Sequence, residues 1–382
     1  LLYSRSQTEG QRLLTCIPAM LLCYWCFGYG AWLCLALMLA AGIIAHHQKL
    51  SALLAAGILL LPATQYPATT WWSKPDLDRE YVLSLDVEHY FGNIQKMRKH
   101  LETDRQILWV TYYRNLYNAT HPSEINSPVS LSRNLLAWNQ PGTNGLILPV
   151  NPSASFLSIL FANELWFTLG DMTMAEHCAM LSMIFSPRNS GSRMIKRLAE
   201  INLVNGDDEA ALKYLRILDK TLLHKSWAEK RIPGQQTPRV KEWLEKKRRD
   251  IPTQDHLRSG NDAVTSLRNL VASNAGNLRA YEYLLCYHLL SKDLRSFVED
   301  YVPGKVSSSI FAEALLIHLA RQGNIRAEEL IKYQIPVKIA KEFADYTRLY
   351  EAKDTSLKEK YGKTYWFYYH FATTEPGKES KP

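Results

Sequence analysis

The sequence predicts an all-α protein: short transmembrane helices followed by an α-solenoid of helix-turn-helix repeats. Three observations carry this. A glycine turn and an alanine recur in the same register, first in "LGDMTMAEHCAMLSMIFSP" (169–187) and again in "NGDDEAALKYL" (205–215). No stretch of any length shows the period-two alternation of a half-buried strand. Residues 13–66 hold one charged side chain, Lys49, whereas charged residues are common from Lys74 onward. The mean hydropathy of −0.22 therefore averages two unlike parts.

The apolar part breaks into three runs, 13–27, 29–45 and 50–66, closed by "FGYG", by "HHQK" and by the polar stretch after Tyr66. Each has 15 to 17 residues, short against the ~20 that span a bilayer core. Three in tandem with almost no charge are hard to bury in a soluble domain and predict a membrane segment over 1–72, contacting lipid through 13–66. A cleaved signal peptide would show one such run. Ala36 and Ala40, Ala41 and Ala45, and Ala52 and Ala56 have the four-residue spacing that lets membrane helices approach closely. Trp71 and Trp72 then sit where aromatic side chains favour the headgroup level. Arg5, Arg12 and Lys49 place the N-terminus and the second loop in the cytoplasm by the positive-inside rule. Everything after Trp72 is then expected outside, in the periplasm of a bacterial inner-membrane protein. The chain opens on Leu1 rather than methionine, so a longer parent protein is expected. "CYWC" (23–26) has C-x-x-C spacing, but it has no basic neighbour to stabilise a thiolate and reads as inert.

In the part from 73 to 382, Ala162, Leu165, Trp166 and Leu169 recur at helical spacing, Gly170-Asp171 turns the chain, and a second helix over 172–185 presents Ala175, Ala179 and Ser182. Glycine suits a left-handed turn, and a small residue lets two helix axes come close. The next unit repeats this with Ile195, Leu198, Ile201 and Leu203, then Gly206, then Ala211, with Leu212, Leu215 and Leu218 continuing the stripe. Ala211 follows its glycine by five residues, as Ala175 does. Weaker copies turn at Gly92, at Lys292-Asp293 and at Gly323-Asn324.

The two glycines are 36 residues apart, near the roughly 34-residue tetratricopeptide period, and this part of the chain resembles tetratricopeptide repeats. It departs from them in lacking the first-helix tryptophan and glycine at their usual places. "EINLVNGDDEAALKYLRILDKTLLHKSWA", "LRAYEYLLCYHLLSKDLRSFV" and "YGKTYWFYYHF" further resemble an uncharacterised family of Bacteroidetes membrane proteins with a tetratricopeptide-like C-terminal region. That resemblance covers most of 80–371. It implies a topology, and further spans before Leu1, but no activity or site residues.

The chain carries no Walker A loop, G-x-S-x-G, H-E-x-x-H or dinucleotide fingerprint, so no enzyme activity and no cofactor is expected of it. His46-His47 lacks the further ligands that a metal site requires. "EKKRR" (245–249) is diluted by Glu229, Glu242, Glu245, Asp250 and Asp255 and reads as a solvated helix face, with no nucleic-acid partner expected. "NAT" (118–120) matches a glycosylation sequon too short to carry weight. "TYWFYYHF" (364–371) reads as the apolar closure that a helical array needs at its end, with an aromatic binding platform as the alternative.

The expected function is a membrane-anchored scaffold that binds a protein or peptide, with Tyr112, Tyr113, Trp166 and Asn202 as candidates for the binding face. The alternative is the accessory domain of a polytopic membrane enzyme, such as a lipid-linked glycosyltransferase, whose catalytic part lies upstream.

Overall fold

A computed structural model describes residues 74–102, 105, 107–121, 131–138, 142–150, 154–185, 191–254 and 262–373. The three predicted spans, "CYWC" and His46-His47 lie outside the described residues. Among the described residues there are eighteen α-helices, one 3₁₀ turn and no strand, and no helix is long and apolar enough to cross a membrane. The chain divides into two compact units, Leu1–Leu83 and Ser84–Pro382.

The helices run α1 (Lys74–Tyr90), α2 (Ile94–Leu101), α3 (Leu108–Thr120), α4 (Leu135–Trp138), α5 (Phe156–Leu169), α6 (Met172–Phe185), α7 (Ser192–Asn205), α8 (Asp208–Asp219), α9 (Lys225–Glu229) and α10 (Pro238–Arg248). They continue with α11 (Ala263–Ser273), α12 (Leu278–Leu290), α13 (Leu294–Asp300), α14 (Ser309–Arg321), α15 (Ala327–Lys332), α16 (Val337–Glu351), α17 (Leu357–Tyr361) and α18 (Tyr365–Phe371). Successive helices pack in order from α5 to α9 and from α11 to α14, and α14 also holds α16 and α18.

One turn is used over and over. At Gly92, Gly170, Gly206, Lys292, Gly323 and Lys353 the backbone enters the left-handed region, with φ between 52° and 91°. The next residue is always Asp or Asn. Its N–H donates to the carbonyl five residues back at 2.8–3.0 Å, as from Asp171 to Trp166 and from Asp207 to Asn202. This closes the outgoing helix in the manner of a Schellman motif. Where the second residue is Asp171, Asp207 or Asp293, its carboxylate accepts the N–H three residues on and opens the following helix. The Gly-Asp pair is thus a stop and a start in two residues. It recurs because either function alone would leave backbone groups unpaired.

The small residues behind these turns are buried as expected: Ala175, Ala179 and Ala211 have no exposed surface. The helix bounds 172–185 agree with the sequence pattern. The period does not hold along the chain, however. Only the Gly170 and Gly206 turns keep the 36-residue interval; the other intervals differ from it and from one another.

Gly170 and Gly206 are required for different reasons. A Cβ at Gly206 would meet nothing within 4 Å, so only its φ of +82° selects glycine. A Cβ at Gly170 would lie 2.2 Å from the carbonyl oxygen of Asp250, where the backbone after α10 crosses the end of α5. Gly206→Ala is expected to cost about 1–2 kcal/mol from the left-handed conformation alone. Gly170→Ala should cost clearly more, because two backbone segments must separate. Chemical denaturation of both variants measures this, and equal losses would show that the crossing at Asp250 is not tight.

Candidate functional site

Three of the four residues expected to form a binding face are buried. Tyr112 and Tyr113 have no exposed surface and Trp166 is 2% exposed, so all three belong to the core. The Tyr112 hydroxyl donates to the Phe161 carbonyl at 2.6 Å. Trp166 lies at the base of a small, partly open pocket of about 200 Å³ between the 143–150 segment and the start of α11. Asn202 is half-buried, and its amide donates to the Leu198 carbonyl one turn back at 2.7 Å. A sequence cannot distinguish an aromatic that plugs a groove from one that fills the interior, because both sit on the apolar stripe of a helix.

Tyr113 leads instead into a buried charged cluster. Its hydroxyl donates to Asp86 at 2.5 Å. Asp86 pairs with Arg193 at 2.5 Å, Arg193 with Glu164 at 2.8 Å, and Glu164 with Arg197 at 2.6 Å. Burial alone would favour a neutral Glu164, but the guanidiniums of Arg197 and Arg193 outweigh it and hold the carboxyl well below the usual range. The same carboxylates hold Arg193 charged against its burial. These pairs, with His89 3.7 Å from Glu164, tie α1, α5 and α7 together.

The "EKKRR" segment also departs from expectation. Glu245, Lys246 and Arg249 are exposed, but Lys247 is half-buried and its ammonium lies 4.5 Å from the Phe167 ring. Burial, reinforced by the charges of Arg197 and Arg279, pushes Lys247 down to about 8. Arg248 donates to the carbonyls of Leu203 and Val204 at 2.7 and 3.0 Å, closing the end of α7. This stretch is a clamp on helix ends rather than a wholly solvated face.

An open apolar surface lies at α18. Tyr365, Trp366 and Tyr368 turn inward and are buried. The hydroxyls of Tyr365 and Tyr368 donate to the Leu289 and Leu290 carbonyls at 3.0 and 2.8 Å, capping α12. The Trp366 indole donates to the Glu313 carbonyl at 3.0 Å. Phe367 and Phe371, one turn apart, cannot share that face. They stack on each other at 4.5 Å, with Phe371 half exposed. Tyr350 at the end of α16 lies edge-on to Phe371 at 6.0 Å and is 40% exposed.

Together with Leu357, Thr355 and the rim residues Glu351, Lys353, Asp354 and Lys358, these aromatics line a groove of about 650 Å³. One face of the helix is therefore buried against α12 and α14, and the other lines the groove. What the sequence did not show is that Tyr350 and Leu357 complete it, since they reach it only through the Lys353 turn.

Beneath the platform, Glu313 accepts the Tyr365 backbone N–H at 2.6 Å. Burial pushes its carboxyl up to about 7 from the ordinary 4.5, and the charge of Glu342 adds to this against the Tyr365 bond. A carboxyl whose folded value is raised stabilises the fold fully below its unfolded value. That stability is lost as pH rises through the folded one, here between about 4.5 and 7. Glu313→Gln should therefore flatten part of the fall in melting temperature across this window, by up to about 3 kcal/mol. The same pH dependence in both proteins would show that Glu313 is already ionised at pH 5.

Residues 51–372 match the sequence pattern of DUF6057, a family of unknown function. No curated protein and no solved structure matches the chain.

Proposed function

The chain belongs to the DUF6057 family of unknown function, and on that premise we propose that it is a membrane-anchored helical-repeat scaffold that binds a protein or peptide. The observation that carries this is the groove of Tyr350, Leu357, Phe367 and Phe371. Its floor is apolar and its rim carries both signs of charge. An amphipathic helix, inserting aliphatic or aromatic anchors one turn apart, matches that floor. The helix pairs that meet at the recurring turns supply a tetratricopeptide-like scaffold behind it, and residues 13–66, with Lys49 as their one charged side chain, supply the anchor.

A displayed peptide library panned against the full chain should enrich sequences with large apolar residues at i and i+3 or i+4. Phe371→Asp should abolish their binding while leaving the melting curve unchanged, because Phe371 is half exposed and lies off the buried face of Tyr365, Trp366 and Tyr368. Peptides that bind the variant as tightly as the parent would remove the groove from consideration.

The anchored arrangement places the helical part outside the cytoplasm. A cysteine at Ser73, in a chain whose native cysteines are replaced, should react with an impermeant maleimide in intact spheroplasts, and one at Gln48 should be protected. The opposite labelling would reverse the topology.

A further inference from the structure

Exposed leucines are ordinary when scattered, but Leu222 and Leu223 are adjacent, 97% and 85% exposed, at the tip of the turn between α8 and α9. The turn is held firmly. The Thr221 hydroxyl donates to the Leu218 carbonyl at 2.7 Å and accepts the His224 N–H at 3.2 Å. The Lys225 N–H donates to the Thr221 carbonyl. The leucines are thus presented by an ordered backbone, where a small rotation in a looser loop would have covered them.

The helix leading to this tip has two opposed faces. Ala211, Leu215 and Leu218 are buried against α7 and the α9 region. Lys213, Arg216 and Lys220 follow one another at three- and four-residue spacing on the opposite side, all exposed. With Asp207, Glu209, Ala210 and Ile217 they line a shallow depression that runs along α8. Ile217 is 44% exposed and adds apolar surface to this face. Of the nearby carboxylates, Asp207, Asp208 and Glu209 lie at the far end of the basic row, where Asp207 accepts the Ala210 N–H; Asp219 is on its flank, and Glu229 is drawn to Lys225 at 4.0 Å.

We propose that this edge docks on an anionic lipid surface, with Leu222 and Leu223 entering the acyl boundary and Lys213, Arg216 and Lys220 meeting the headgroup phosphates. The charge pattern suits a negatively charged layer, and the paired leucines require that layer to have an apolar interior, which a nucleic acid lacks. Leucine and basic side chains together at one edge are the combination that binds a bilayer from its surface. This contact rests on residues 209–225 alone and is independent of the segment 13–66 and of the aromatic groove.

The test uses the full chain with benzoylphenylalanine, a photocrosslinking residue, in place of Leu222. It is incubated with vesicles of phosphatidylcholine, with or without phosphatidylglycerol. Lipid adducts should form on the anionic vesicles and fall by at least about tenfold on the neutral ones, and they should decline at high salt. The triple variant K213E/R216E/K220E should lose them while keeping its thermal midpoint, since all three side chains are exposed. Replacing Leu223 by Ser should also weaken them. Equal adduct yields on the two vesicle types would overturn the proposal, as would yields indifferent to Leu223→Ser or a dominant crosslink to a second protein chain.

Discussion

Helices of four to seventeen residues end often, and every C-terminal end leaves up to four carbonyls without partners inside the helix. Satisfying those carbonyls is the constraint on which the rest of this structure depends. The left-handed turn meets it locally at the six places where Asp or Asn follows and also at Gln334, where the Ile335 N–H donates to the Leu330 carbonyl. Elsewhere a distant side chain does so. Arg279 donates to the Ala119 and Thr168 carbonyls and Asn277 to that of Leu169, so the ends of α3 and α5 are closed by the start of α12. Arg248 closes α7, Tyr365 and Tyr368 close α12, and the Lys292 ammonium closes α18 at the carbonyls of Tyr369 and Ala372. Half of these donors, Arg279, Arg248 and Lys292, are cationic, which also suits the negative end of a helix dipole. Lys292 shows the trade directly: it occupies a left-handed position that glycine would hold with less strain, and its side chain makes the bonds that glycine could not.

The same constraint accounts for the charges inside. Asp86, Glu164, Arg193 and Arg197 join α1, α5 and α7 through bonds of definite direction, which apolar packing lacks. A buried pair of this kind adds little net stability over apolar packing, but removing one member leaves the others uncompensated at a cost of about 3–5 kcal/mol. It therefore selects one register of three helices against its neighbours. Arg197 adds a contact 3.8 Å above the Phe167 ring, the ring that Lys247 approaches from α10. The charged cluster and the carbonyl clamp thus meet on a single aromatic residue.

Both candidate surfaces are the unused sides of elements that have a structural task on their other side. α18 buries Tyr365, Trp366 and Tyr368 and leaves Phe367 and Phe371 outward. α8 buries Ala211, Leu215 and Leu218 and leaves a basic row that ends in two leucines. A helix at the end of a packed series has one face that no neighbour covers, and its composition is free to serve binding.

The sequence by itself determined the local rules. Helical class, the Gly-Asp stops and starts, the burial of Ala175 and Ala211, and the closing part of α18 were all legible, because each depends on residues within a turn or two of one another. Tertiary structure alone decided which apolar aromatics are core and which are surface. Tyr112, Tyr113 and Trp166 sit on stripes no different from that of Phe371, yet the first three are enclosed and the last is not. It also decided that Lys247 and Arg248 turn toward carbonyls nearly fifty to eighty residues away in sequence, and that Gly170 is crossed by the backbone at Asp250. Periodicity records which side of a helix is apolar. Whether another helix arrives to cover that side depends on contacts distant in sequence, which no local pattern encodes.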